Sequence, residues 1–161
     1  MKITHADIKK SQKTLSEKIT ARQNELQEVA RQIFYNYVDS LALPAETWID
    51  HNGMPRAYVT TGELNDKGLF QARPIAAFQM DKEYKLNFLI STVVDDSRTN
   101  GGPHYLISVS INKEAGAYNI DIGKSKRNVV IRDPEDVKEM SLVSDAIKEV
   151  ILLGFTDPRL D

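Results

Sequence analysis

The most chemically varied segment of the chain runs from Asp95 to His104 and carries two adjacent acids, an arginine and a histidine. Carboxylates beside an imidazole are groups that bind a divalent metal or transfer a proton in acid and base catalysis. Adjacent residues at the end of a strand point in different directions, however, so Asp95 and Asp96 do not converge by their spacing alone. We therefore expect a solvated loop whose polar side chains, Arg98 included, contact a ligand or a partner rather than perform catalysis.

Polar and apolar residues alternate along the segments on either side of residue 80, and this period of two predicts strands with one wet face. Arg73, Lys85 and Asn87 fall on the polar side of that alternation. The polar face is a candidate platform for a polar ligand or a protein. It suits single-stranded nucleic acid less well, because the aromatic residues needed for base stacking fall on the inward face. One candidate binding site therefore combines the following residues: Arg73, Lys85, Asn87, Asp95, Asp96, Arg98 and His104.

Several classes of chemistry are excluded or left without support by the composition. The chain has no cysteine, so disulfide scaffolds, thiol nucleophiles and thiolate metal sites are excluded. It has only three histidines, and it contains no phosphate-binding loop, HExxH motif, EF-hand or dinucleotide fingerprint. We predict no catalytic residue, no metal site and no cofactor.

Charge is distributed unevenly along the chain, although the net charge is only −2. Residues 1–22 carry a net charge of +4, and residues 133–161 carry −5. A basic helix at the N-terminus could contact nucleic acid, or it could meet the acidic C-terminal helix of its own or a neighbouring chain. The residues of the nucleic-acid alternative are Lys9, Lys10, Lys13 and Lys18 in the first segment, and Lys124, Lys126 and Arg127 in a basic turn.

The N-terminal quarter of the sequence has the apolar spacing of one long helix. Neither glycine nor proline occurs between Ile3 and Leu43, and Pro44 disfavours helical geometry at the end of that stretch. Such a helix would span about 55 Å, more than the roughly 40 Å diameter of a compact domain of this size. We expect its second half, 26–41, to pack on the core and its first half to reach a partner. The alternative is a helix that breaks near Gln23 and Asn24 and folds back.

The remaining patterns predict an α+β fold in a single domain, 1–161, with residues 1–22 as a projecting basic extension. Alternating segments with short turns indicate an antiparallel meander of five to seven strands, one of them spanning 70–80 with Pro74 at an edge or a bulge. Asp133 and Pro134 then supply an N-cap and a first helical residue, and Gly154 ends the C-terminal helix. Both helices should cover the same face of the sheet.

The sequence favours association over catalysis. We expect a non-enzymatic cytoplasmic protein that binds another protein in an adaptor-like or inhibitor-like role and forms a homo-oligomer through its N-terminal helix. Neither a secretory signal nor an apolar stretch of membrane-spanning length is present, so no membrane contact is expected. One alternative is a small-ligand binder or simple enzyme with a pocket between the curved sheet and a helix, and with the 95–104 loop at its rim. The other alternative is nucleic-acid binding through the basic N-terminal helix.

Overall fold

The computed structural model describes all 161 residues and shows an α+β architecture, as the sequence predicts. Two helices cover one face of a six-stranded antiparallel sheet. A separate two-stranded hairpin follows the first helix in the sequence. The core consists of 25 buried apolar residues contributed by the helices and strands. The elements are α1 (His5–Ser40), β1 (Thr47–Ile49), β2 (Pro55–Ala57), β3 (Val59–Leu64), β4 (Phe70–Ala72), β5 (Leu86–Val93), β6 (His104–Glu114), β7 (Ala117–Ile122), β8 (Arg127–Ile131) and α2 (Val137–Gly154).

Helix α1 is continuous for 36 residues, so the alternative of a break near Gln23 and Asn24 is wrong. A capping box starts the helix: the Thr4 hydroxyl accepts a hydrogen bond from the Asp7 N–H, and the Asp7 carboxylate accepts one from the Thr4 N–H. The side chains that α1 buries all lie in its second half. They are Leu26, Gln27, Val29, Ala30, Ile33 and Tyr37.

The sheet has the order β4-β3-β5-β6-β7-β8, with every neighbouring pair antiparallel. Strands β5 to β8 form the predicted meander, but β5 pairs with the free side of β3 and leaves β4 at the sheet edge. The predicted strand over 70–80 ends at Ala72, because Pro74 has no N–H for a ladder and a 3-10 turn follows at Ile75–Ala77. The Gln27 amide donates to the Phe78 carbonyl at 2.9 Å, which fixes this segment against α1.

Helix α2 begins three residues later than the sequence suggests. Asp136 is the N-cap and accepts from the Lys138 N–H, whereas Asp133 closes a turn in which its carbonyl accepts from the Asp136 N–H. The Glu139 carboxylate also accepts from the backbone N–H of Arg132 and Asp133, which holds that turn outside the helix. The helix ends at Gly154, as predicted. Neither helix has the length and apolar character needed to cross a membrane.

Candidate functional site

The first candidate surface is the exposed first half of α1, residues 5–18, which we call the arm. Every side chain in this range is exposed, among them two large aliphatic ones, Ile8 at 61% and Leu15 at 53%. The lysines of the arm form no ion pair with the rest of the chain. The arm therefore presents net positive charge together with apolar surface that its own chain covers only in part, at Leu15, which lines a small cavity with Tyr84.

The apolar residues of the arm lie on the same side of α1 as its buried residues. Ile8 and Leu26 are separated by 18 residues, which corresponds to about five turns, and the same spacing separates Leu15 from Ile33. Leu26 and Ile33 are both fully buried against the core. One straight stripe thus continues from the core onto the arm, and only its second half is covered.

The arm leaves the domain at one end of the sheet, where β5 begins and β6 ends. Arg22 donates to the Lys113 carbonyl at 3.5 Å, and Gln23 accepts from the Met80 N–H at 3.2 Å. The Glu25 carboxylate accepts hydrogen bonds from both the Lys113 ammonium and the Tyr118 hydroxyl. These contacts hold α1 at the point where its exposed part begins.

The second candidate surface is a groove of about 680 Å³ on the sheet face that the helices leave open, which we call the groove. A row of polar side chains crosses it, because Asn87 pairs with Ser110 and Ser110 with Asp121 in the strand register. Asp81 accepts from the Asn87 amide at 2.8 Å at one end of the row. The groove is lined by Glu63, Leu64, Asp81, Glu83, Lys85, Asn87, Phe88, Leu89, Ser108, Val109, Ser110, Asp121, Lys124 and Ser125.

The lining of the groove is acidic in balance. Four carboxylates and two lysines line it. The Glu83 carboxylate, 3.1 Å from the Lys85 ammonium, raises the pKa of Lys85 above its ordinary value, and Asp81 and Asp121 act in the same direction. An adjoining cavity of about 310 Å³ shares Leu64 and Leu89 with the groove and adds Leu106. The open face therefore combines an acidic end with an apolar patch.

Among the predicted binding residues, Lys85 and Asn87 lie together in the groove. Arg73 lies at the sheet edge and pairs with Glu63 at 2.7 Å, so it neutralises one of the four groove carboxylates. The predicted pocket between the sheet and a helix does not coincide with the groove, because the groove lies on the opposite face.

The loop residues of the predicted site do not line the groove. The Asp95 carboxylate accepts from the Ser97 N–H at 2.9 Å, a hydrogen bond that lowers the pKa of Asp95, and Asp96 accepts from the Tyr58 hydroxyl at 2.5 Å. The His104 ring lies 6.0 Å from that of Phe70. Arg98 is exposed and forms no ion pair. No group of three or more His, Asp or Glu side chains converges as metal ligands.

The two basic segments of the nucleic-acid alternative lie at different places on the molecule. The turn that contains Lys124 and Lys126 lies beside Ser108, since the Lys124 N–H donates to the Ser108 hydroxyl at 3.1 Å. Arg127 pairs with Glu149 of α2. The arm instead passes the far end of β6 at Lys113. The structure thus does not join these cations into one continuous strip.

The groove carboxylates and the Glu25 cluster were not among the residues selected from the sequence. Period-two alternation identifies Asp121 and Ser110 as outward-facing, but it does not show which strands are neighbours. Glu25 is 88 residues from Lys113 and 93 from Tyr118, so no local pattern links them. Comparisons with known protein families, with curated proteins and with solved structures found no match for this chain.

Proposed function

We propose that this chain is a non-enzymatic, cytoplasmic protein-binding protein that self-associates through the arm, residues 5–18. The observation that carries the proposal is the apolar stripe that leaves the core at Leu26 and continues, exposed, through Leu15 and Ile8. An amphipathic helix held away from its own domain gains stability when a partner covers its apolar side.

The free energy available from the arm is of the right order for association. Burying a large aliphatic side chain contributes about 1.5–3 kcal/mol, and the arm offers Ile8 and Leu15, with Ile3 just before it. Lost translational and rotational freedom opposes binding by about 4–15 kcal/mol. A single arm is marginal against that cost, whereas two arms buried in one symmetric dimer double the gain for a single association event.

The groove gives weaker support to the small-ligand alternative. Its volume is within the range of about 300–1,000 Å³ that ligand sites occupy. Only 4 of its 14 lining residues are hydrophobic, however, while ligand pockets are predominantly apolar with a few converging polar groups. A polar surface of this kind fits a macromolecular partner better than a small molecule.

Substitution of the exposed stripe tests the proposal. In the double variant Ile8→Gln/Leu15→Gln, we expect the dissociation constant of the dimer to rise about 10,000-fold, because each of the two arms loses two apolar contacts, a total of roughly 6 kcal/mol. Analytical ultracentrifugation over a range of protein concentrations measures the change. Thr14→Gln, which places the same side chain on another side of the helix, is the matched control and should leave the dimer intact.

The folded domain itself should be unaffected, since both substituted side chains are exposed. Equal unfolding midpoints for the wild type and the double variant would show this. A wild-type chain that sediments as a monomer at every concentration would refute self-association, and so would a double variant that dimerises as tightly as the wild type.

A further inference from the structure

We propose that the arm of each chain lies across the open sheet face of a second copy, in the groove, so that two chains exchange arms around a two-fold axis. The inference rests on the proposed self-association and names the surface that receives the arm. Three independent features support it: the direction of α1, the orientation of its apolar stripe and the distribution of charge.

Helix α1 runs alongside β5 in the same direction. Near the start of β5, Gln27 contacts Phe78 and Gln23 contacts Met80, which bridges to Leu86. Near its end, the Tyr37 hydroxyl hydrogen-bonds to Thr92 at 2.7 Å. Going backwards along α1, the arm therefore extends past the start of β5, beyond the end of its own sheet but at the height of its own helix layer.

A two-fold axis at that end of the sheet, lying in the sheet plane and perpendicular to the arm, relates two such chains without a clash of layers. The rotation turns the second copy over, so its open face lies on the side where the first copy has its helices. The first copy's arm, which continues straight out of its helix layer, then lies over that open face. The interface is isologous, and the second arm is covered in the same way.

The orientation and length of the arm fit this arrangement. Because Ile8 and Leu15 point in the same direction as Leu26 and Ile33, they point toward the plane of the sheets and so toward the partner's open face. The arm is about 21 Å long, and β5, with eight residues, is about 27 Å long. One arm therefore covers most of the length of the groove along the strands.

Charge distinguishes the groove from the other surfaces available to the arm. Lys9 and Lys18 flank the apolar stripe, about 100° and 80° from Ile8 around the helix. The groove remains net acidic even when Arg73 neutralises Glu63, because Asp81, Glu83 and Asp121 still outnumber its two lysines.

The two competing surfaces are less complementary to the arm. A pairing of two arms would bring together helices that are both basic. The three acids of α2 are already engaged: Glu149 pairs with Arg127, Asp145 pairs with Lys148, and Glu139 accepts from two backbone N–H groups, so little of the −5 of the C-terminal segment is available along the helix itself. The groove is therefore the surface to which we assign the arm.

Site-directed disulfide cross-linking tests the assignment. Because the chain has no native cysteine, every disulfide must form between introduced cysteines. Gln12 lies on the apolar stripe, and Ser110 lies in the middle of the groove without a side-chain hydrogen bond. We would mix Gln12→Cys chains with larger, tagged Ser110→Cys chains, allow subunit exchange, and follow disulfide formation on non-reducing gels. The matched control replaces Gln12→Cys with Glu17→Cys, which lies on the opposite side of the helix, about 180° from Ile8.

We expect the Gln12→Cys and Ser110→Cys chains to form a mixed disulfide at least tenfold faster than the control pair. A dimer that persists in the ultracentrifuge but forms no mixed disulfide would overturn the groove assignment and leave self-association standing. Dominant disulfides between two Gln12→Cys chains would overturn it in favour of arm-to-arm pairing. A monomer in the ultracentrifuge would refute both the assignment and the proposed function.

Discussion

Glu25 lies where α1 stops being covered by its own domain, and its environment keeps its carboxylate charged. Burial alone would raise the pKa of Glu25, but hydrogen bonds from Lys113 and Tyr118 outweigh it and lower the pKa below the ordinary value. Burial, together with the hydrogen bond to Glu25, raises the pKa of Tyr118 to about 12. Both shifts describe one arrangement, an ionised glutamate bound to a neutral tyrosine, and this arrangement fixes the base of the arm.

The pH dependence of stability should report this contact. The pKa of Tyr118 is about 12 in the folded chain and about 10 in the unfolded chain, so folding favours the neutral hydroxyl. Its contribution is fully present below pH 10 and is lost as the pH rises from 10 to 12. Between pH 9 and pH 11 the wild type should lose about 1.4 kcal/mol more than Tyr118→Phe, measured by denaturant unfolding.

The other tyrosines with raised pKa values, Tyr37 and Tyr58, remain in the variant, so their effects cancel in the comparison. An equal loss of stability in the two proteins would contradict a raised pKa of Tyr118 in the folded chain. None of this cluster was predictable from the sequence, because its members come from α1, β6 and β7 and meet only after the sheet has formed.

Considered as an element, the arm is a helix of marginal length that depends on its cap. Uncovered helices shorter than about 12–15 residues are marginally stable in water, so the exposed turns of α1 rely on continuity with the buried half and on the Thr4 capping box. A frayed arm would not present Ile8 and Leu15 on one line. The strength of self-association should therefore follow the helix content of the arm.

Two identical substitutions at different positions test this dependence. Thr4→Ala removes the cap, costs about 1 kcal/mol, and should weaken self-association about fivefold for each arm. Thr14→Ala, in the interior of the arm, replaces a poorer helix former with alanine and should strengthen association slightly. Circular dichroism measures helix content, and sedimentation measures association. Equal effects of the two changes would contradict a role for arm helicity.

The helices and strands were more predictable than the pairing of one strand with another. Apolar spacing predicted both helices and the strands β5 to β8, because one covered face imposes a period on the sequence, but it did not identify β3. It failed over residues 70–80, where Phe78 reaches the core just after a 3-10 turn and preserves the alternation without a strand. It also failed at the start of α2, because Asp133 and Asp136 are both suitable N-cap residues and the helix begins after Asp136. Alternation likewise could not show that β5 pairs with β3 rather than with β4.

At the scale of the whole molecule, the arm and the open sheet face are both uncovered after folding, and their net charges are opposite. Helices α1 and α2 cover one face of the sheet and leave the other open. The arm then extends beyond the end of the sheet with its apolar stripe in line with the core. The sequence revealed the excess length of α1 and the positive charge of residues 1–22. It could not reveal the acidic groove, because Asp81 and Glu83 lie in the turn before β5 and Asp121 lies in β7, and only the folded sheet brings them together.

Salt dependence separates the two ways in which the arms of a dimer could be covered. If the basic arm lies in the acidic groove, added salt screens an attraction and the dimer should dissociate more readily at 0.5 M than at 0.05 M salt. If two basic arms pair with each other, salt screens a repulsion and should tighten the dimer. The sign of the salt effect on dimer dissociation distinguishes the two arrangements. The strength of the dimer alone does not, because burial of Ile8 and Leu15 contributes to both.

A charge placed within the groove gives the same test at a single position. Ser110→Lys adds a cation beneath the arm, and Ser110→Glu adds an acid of comparable length at the same place. We expect the lysine variant to dimerise less tightly than the glutamate variant, with the difference shrinking as salt is added, since exposed charges interact weakly beyond the Debye length of about 10 Å at 0.1 M. Sedimentation of both variants at low and high salt measures this difference in dimer affinity. Indistinguishable variants at low salt would mean that the arm does not approach Ser110, and the acidic groove would then have no part in holding two chains together.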